Sequence, residues 1–297
     1  MSRAQDPTLA IRFVLLATLL FALQDGISKH LAAHYPVPWF VMFRYWFFAL
    51  FVVTLASRMP GGVRAARRTS VPVLQAARGV LLAVQIIVIV ISFDLIGLAP
   101  THTIFALHPL LATLLAIPVL GERVGWRRLA AVGVGFLGVL VILRPGAGVF
   151  DWKAGIALFS ALMFASYSVL TRLASNADGH SRASFFYTGV AGAAVMTLIG
   201  PFFATPMTWP DIGWLAILSL TGMTGHYCLI RALDAAEAVR IQPFVYLQMT
   251  YAVIIGWLVF GEPVDRWMIV GMTMIVGAGL YAIWREARVA RMEATPG

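Results

Sequence analysis

Leu120-Gly121-Glu122-Arg123-Val124 and Phe260-Gly261-Glu262-Pro263-Val264 are two copies of one short stretch, 140 residues apart. Each copy closes one apolar run and opens the next. At the same offset Asp94 falls on Asp234, Ala99 on Val239 and His108 on Gln248. Nearer the start of each copy, an offset of 143 sets Leu20-Phe21-Ala22 on Met163-Phe164-Ala165 and Lys29 on Arg172. The chain is an internal duplication, and its fold follows from what each copy contains.

A bilayer-spanning helix needs about 20 mostly apolar residues. Ten segments qualify, five in each copy: Leu9–Ser28, Trp39–Ala56, Val71–Ile96, Pro100–Leu120, Leu129–Leu143, Trp152–Leu173, Ala183–Ala204, Ile212–Ile230, Ile241–Phe260 and Trp267–Trp284. The fifth is the shortest. Linkers between them are short and rich in turn residues, as in Met59-Pro60-Gly61-Gly62 and Asn176-Ala177-Asp178-Gly179. Hydrophobic residues make up 60% of the 297 and charged residues 12%, with a mean hydropathy of +0.85. An ordinary soluble domain is about 25% charged, so a soluble enzyme is excluded. The net charge of +9 is no sign of nucleic-acid binding. The arginines sit between apolar runs, where they orient helices and touch anionic lipid. Cys228 is the only cysteine, which excludes an internal disulfide and speaks against a cysteine metal site. No small-residue cleavage site follows the first apolar run, so it reads as a membrane helix rather than a signal peptide.

Loop charge gives the orientation. With the N-terminus in the cytoplasm, 17 Lys and Arg residues, Arg78 among them, fall on the cytoplasmic side and 4 on the outer side, with Arg44 inside a helix. The bias supports an even number of spans. The expected fold is an all-α polytopic membrane protein of ten transmembrane helices with both termini cytoplasmic. Residues 1–145 form the first five-helix repeat and residues 146–297 the second. Five is odd, so the second repeat enters the bilayer inverted. Inverted repeats recur in alternating-access transporters, which hold substrate between the halves near the midplane; simple enlargement of a scaffold is the alternative.

The two copies also carry a family resemblance. Ala106-Leu107-His108-Pro109-Leu110, then Leu120-Gly121-Glu122-Arg123, then Gly133, Gly135 and Gly138 resemble the EamA unit of the drug/metabolite transporter superfamily. Pro243-Phe244-Val245, Phe260-Gly261-Glu262-Pro263, Gly271, Gly277 and Gly279 repeat the pattern. The resemblance covers nearly the whole chain and implies a ten-helix exporter of small metabolites in a bacterial inner membrane, nearest to the YddG-type amino-acid exporters. The second copy departs from it by lacking a proline at the place of Pro109, which sets its kink at a different expected depth.

Ionisable and polar groups inside a bilayer are costly and face the bundle interior. Arg44 is the clearest case, with Asp25 and Asp94 at a similar expected depth as pairing partners. That pair is either a fixed structural clip or an outer gate and carboxylate site. Asp234, the repeat mate of Asp94, is either a second gate residue or a solvated helix end. His108 and Gln248 are mid-helix repeat mates. With Gln24, Trp46, Gln85, Tyr167, Tyr246 and Tyr251 they make up the expected substrate cavity, and His102 lies nearby. Amides and rings of this kind suit a zwitterion with an apolar body. His108 is the candidate proton carrier, because imidazole titrates near neutral pH. Packing residues or an interfacial aromatic belt are the alternative for any one of these rings.

The sequence holds no phosphate-binding loop, zinc-binding helix or nucleophile elbow, so no enzyme activity, metal or cofactor is expected. The reading is a secondary transporter, a monomer or weak dimer, that exports amino acids or similar amphipathic metabolites by alternating access. Lipid, a small-molecule substrate and protons are its expected partners, and nucleic acid is not. A passive channel and an intramembrane enzyme are the competing readings.

Overall fold

The computed structural model describes residues 7–121, 124–144, 152–178, 182–235 and 244–294, and among them there are helices and turns but no strand. The chain runs through α1 (Pro7–Ala32), α2 (Val37–Ser57), α3 (Gly62–Ala66), α4 (Pro72–Ile96), α5 (Leu98–Phe105), α6 (His108–Leu120) and α7 (Trp126–Leu143). It continues through α8 (Ala154–Asp178), α9 (Arg182–Ile199), a 3-10 turn (Gly200–Phe203), α10 (Trp209–Ala235), α11 (Leu247–Phe260) and α12 (Arg266–Ala294). Among the described residues, eight helical stretches are long and apolar enough to cross a bilayer, α5 and α6 together forming one of them. Leu129–Leu143 and Leu247–Phe260 are apolar but shorter. The helices reach beyond the apolar runs at several ends. The segment expected at Ile241–Phe260 is described only from residue 244.

Helix ends follow from local chemistry. Prolines occupy the first turn of α2, α4 and α6, where a missing N–H costs nothing. Gly121 and Gly261 end α6 and α11 in the left-handed region, at φ 69° and 65°. Glycine adopts that conformation without a Cβ clash, so the glycine of the duplicated stretch is a helix stop in both copies.

The fourth span is broken. Ala106 and Leu107 form a turn between α5 and α6. Tyr246 forms the matching turn before α11, at the position of Ala106 in the 140-residue offset. The caps have similar dihedrals, φ −71° ψ −17° at Leu107 and φ −64° ψ −18° at Tyr246. Both copies therefore turn at corresponding positions of the repeat, the second without a proline at the place of Pro109.

Among the described residues, the two largest apolar clusters join most of the helices. One joins α1, α2, α4 and α10 through residues such as Leu31, Phe40, Phe93 and Leu218. The other joins α6, α7 and α12 through Leu107, Leu110, Val139 and Ile275. Large apolar side chains also point outward, among them Leu50, Leu198, Trp257 and Leu258. A soluble surface of this kind would aggregate; a lipid-facing one is stable.

Candidate functional site

Among the described residues, two cavities with polar side chains in their walls lie inside the bundle. At the first, α1, α5 and α11 bring three side chains together. Gln248 Nε2 donates to Asp25 Oδ2 at 2.9 Å, and His102 Nε2 approaches the same oxygen at 3.1 Å. The histidine contact is off the hydrogen-bond line, so Nε2 has no aligned partner among the described residues. His102 is held by stacking on Phe93, with centroids 5.3 Å apart and planes 16° from parallel. A buried carboxylate in an apolar bundle is stable only with such partners.

The adjoining cavity has a volume of about 70 Å³, room for several waters. His102 and both copies of the broken helix line it. Phe105 with Val245, Ala106 with Tyr246, His108 with Gln248 and Pro109 with Met249 are all lining residues, and each pair is 140 residues apart. His108 Nδ1 donates to the Phe105 carbonyl at 3.0 Å, and its ring packs edge-on against Phe164. The Tyr246 hydroxyl is buried without a partner among the described residues.

The second cavity, about 30 Å³, lies between α1, α2, α4 and α10. Arg44 and Tyr45 reach it from α2 and Gln24 from α1. Ser219, Gly222, Met223 and His226 line it from one face of α10, at the spacing of i, i+3, i+4 and i+7. His226 stacks on Phe48 at 5.0 Å and meets Phe21 edge-on.

Polar clamps close the bundle ends. At the end reached by the C-terminus of α1, Glu262 accepts the backbone N–H groups of Leu98 and Ala99, both at 2.7 Å, and pairs with Lys29. The glutamate of the second duplicated stretch thus caps α5, the helix that starts the broken span. Arg144 pairs with Asp265, and Tyr35 donates to Asp211 at 2.8 Å, at that same end. At the other end Asp178 accepts from Thr69, the Ser70 amide and Gln75. Gln75 Oε1 in turn accepts from Arg78 Nε at 2.6 Å. Arg78 is fully buried, its remaining bonds going to Tyr167, Thr171, Thr188 and the Ser184 carbonyl.

The EamA-like transporter family model matches this chain twice, over residues 8–144 and 152–284. The chain belongs to the EamA-like transporter family. Both cavities of this EamA-like transporter therefore take walls from both matched segments. Among its relatives is a riboflavin transporter of Rhizobium johnstonii, 27% identical, with 99% of this chain and 98% of the relative covered. A riboflavin transporter of Vibrio cholerae is 28% identical over 99% of each chain. An S-adenosylmethionine uptake transporter of Rickettsia prowazekii is 22% identical, covering 94% and 93%. A solved crystal structure superposes with a TM-score of 0.62 at 19% identity, covering 95% of this chain and 99% of the other. These relatives are transporters, and this EamA-like protein is a multi-pass membrane transporter rather than an enzyme. They are named for riboflavin and S-adenosylmethionine, not for the amino acids expected from the sequence.

The expected site residues divide. Gln24, Arg44, Asp25, His108, Tyr246 and Gln248 do meet at the two cavities. The expected Arg44–Asp25 or Arg44–Asp94 pair does not form: Asp25 is engaged by Gln248 and His102, and Asp94 is exposed at the end of α4. Trp46 points outward and donates to Thr197 at 2.8 Å. Gln85 is buried but ties α4 to Ser160 of α8. Tyr167 serves the Arg78 network, and Tyr251 lines neither cavity. The side chain of Asp234 and residue Glu122 lie outside the described residues. Arg78, counted as a loop charge, is an interior residue. His226 and Ser219 escaped the sequence reading, although their helical spacing on α10 was the signal for them.

Proposed function

We propose that this EamA-like transporter carries a small heteroaromatic metabolite across a bacterial inner membrane by alternating access. In this reading residues 1–145 and 146–297 are oppositely inserted halves with both termini cytoplasmic, and substrate sits between them. The observation that carries it is the cavity at the helix breaks, lined by four repeat-mate pairs. A site on a pseudo-two-fold axis belongs equally to both halves, so rocking one half against the other exposes it to either side.

Its chemistry favours a planar ring. The His102, Phe105, His108 and Tyr246 rings supply flat apolar faces, and the Asp25–Gln248 pair supplies acceptors and donors for ring edges. Relatives named for a flavin and for an adenosyl compound support this class over simple amino acids, and the Rickettsia name supports uptake over export. The Asp25–His102 pair is the interior couple suited to carry a proton, whereas His108 is tied to a backbone carbonyl. The site is complete within one chain, so a monomer suffices.

Counterflow into proteoliposomes tests the proposal. Vesicles are preloaded with unlabelled riboflavin, S-adenosylmethionine or phenylalanine, and entry of the labelled form is followed. Saturable exchange of a heteroaromatic probe, lost in Asp25→Asn, is the expected result. Exchange of phenylalanine alone would restore the amino-acid reading, and a linear leak of all three would indicate a channel.

A further inference from the structure

Resting on the transporter reading above, we infer that the cavity at Arg44 is a carboxylate subsite, so that the transported molecule bears a carboxylate. Arg44 lies inside an apolar helix, and its guanidinium stays charged at all relevant pH. Among the described residues no carboxylate comes within 4.0 Å of it and it makes no hydrogen bond. Asp25 lies within Coulombic reach but is engaged by Gln248 and His102. A cation is costly at such a position and faces a partner or a cavity; here it faces a cavity.

The cavity walls are prepared for polar contact. Among the described residues, Gln24 is 4% exposed and its Oε1 has no partner; Tyr45 is 2% exposed and its hydroxyl has none either. Both line the cavity with Arg44. Buried polar atoms are seldom left unsatisfied, and two beside one unpaired guanidinium mark a place where a ligand completes the bonding. Gly222 keeps the wall clear, since a Cβ there would stand 2.4 Å from Gln24 Oε1. Amide orientation can exchange Oε1 for Nε2, and either end leaves one polar atom for the ligand.

Charge and size select the anion. One guanidinium matches one carboxylate through its two parallel donors. A phosphate monoester carries about −1.5 to −2 charges, and His226 is the only other group lining this cavity that can become cationic. The volume of about 30 Å³ is that of roughly two waters, the space of two carboxylate oxygens. With Asp25 next to Gln24 along α1, the interior offers a positive and a negative pole. That pattern suits an amino-acid head joined to a heteroaromatic ring.

The test uses the full-length protein in nanodiscs and three probes: S-adenosylmethionine, its decarboxylated analogue, and riboflavin, which has no carboxylate. The wild type is expected to bind the carboxylate-bearing probe about 10- to 100-fold more tightly than the decarboxylated one, the range of a charge-assisted bidentate contact. Arg44→Gln is expected to bring that ratio near one, and Gly222→Ala to reduce it by displacing Gln24. The wild-type ratio needs no variant, so it decides the matter even where Arg44→Gln fails to fold. Equal binding of the matched pair, a preference that survives Arg44→Gln, or riboflavin bound as tightly as S-adenosylmethionine would overturn the subsite and leave the transporter reading standing. Absence of saturable binding by all three would overturn the heteroaromatic class and the subsite with it.

Discussion

Glu262 satisfies two backbone donors and one ammonium at once. Two glycines make room for it: a Cβ at Gly97 would lie 2.9 Å from its carboxyl carbon, and one at Gly256 would lie 2.6 Å from Oε2. Gly97 also has φ 98°, a conformation that side-chain-bearing residues avoid. Glu262→Gln turns one acceptor oxygen into a donor facing other donors and leaves Lys29 without its carboxylate. Removing one partner of a buried pair costs about 3–5 kcal/mol, so a stability loss of about 3 kcal/mol is expected in denaturant titration in detergent. In the Lys29→Gln background the same change should cost clearly less, because the pair is then already broken. At this scale the sequence was legible where a polar residue interrupts an apolar run, as with Gln24, Asp25 and Arg44. It misled where pairing had to be guessed, since partner choice depends on which helix faces which. Arg78 shows the other limit: six residues past the start of α4, it looked like a loop charge and is buried in five hydrogen bonds.

Asp265 immediately precedes helix α12; its Oδ1 accepts from the Met268 amide at 2.8 Å and its Oδ2 meets Arg144. The Met268 N–H, aided by Arg144 and opposed by partial burial, holds this carboxyl below the usual carboxylate range. A depressed folded-state pKa stabilises the fold above the unfolded value, about 4, and this contribution fades as pH falls through the folded value. Asp265→Asn keeps the cap shape but not the charge. Its melting temperature should therefore lie below wild type at pH 7, and the gap should shrink towards pH 3. The broken span gives a second expectation. The α11 break forms without a proline at the place of Pro109, so a break of this kind does not require one there. Pro109→Ala is expected to change stability by less than about 1 kcal/mol, the usual bound for a compatible site, and to retain most transport. Hydropathy made the helices legible, because each must bury its backbone polar groups internally in lipid. The break in the second copy was not legible, because no proline at the place of Pro109 marks it.

At the scale of the molecule, two copies of one unit enclose shared cavities. Duplication was legible in the Gly-Glu stretch because both of its residues act physically. The glycine stops a helix, and in the second copy the glutamate caps another helix across the bundle. Substrate class was not legible, since the cavity walls combine several helices whose facing residues no periodicity ranks. The most direct test of the central claim, that the two halves are inverted, places single cysteines at Val124 and Val264, which are 140 residues apart. They are made in a Cys228→Ala background, and intact cells are labelled with a membrane-impermeant maleimide. With inverted halves, Val264→Cys should react in intact cells and Val124→Cys only after permeabilisation. Reaction of both from the same side would contradict the account.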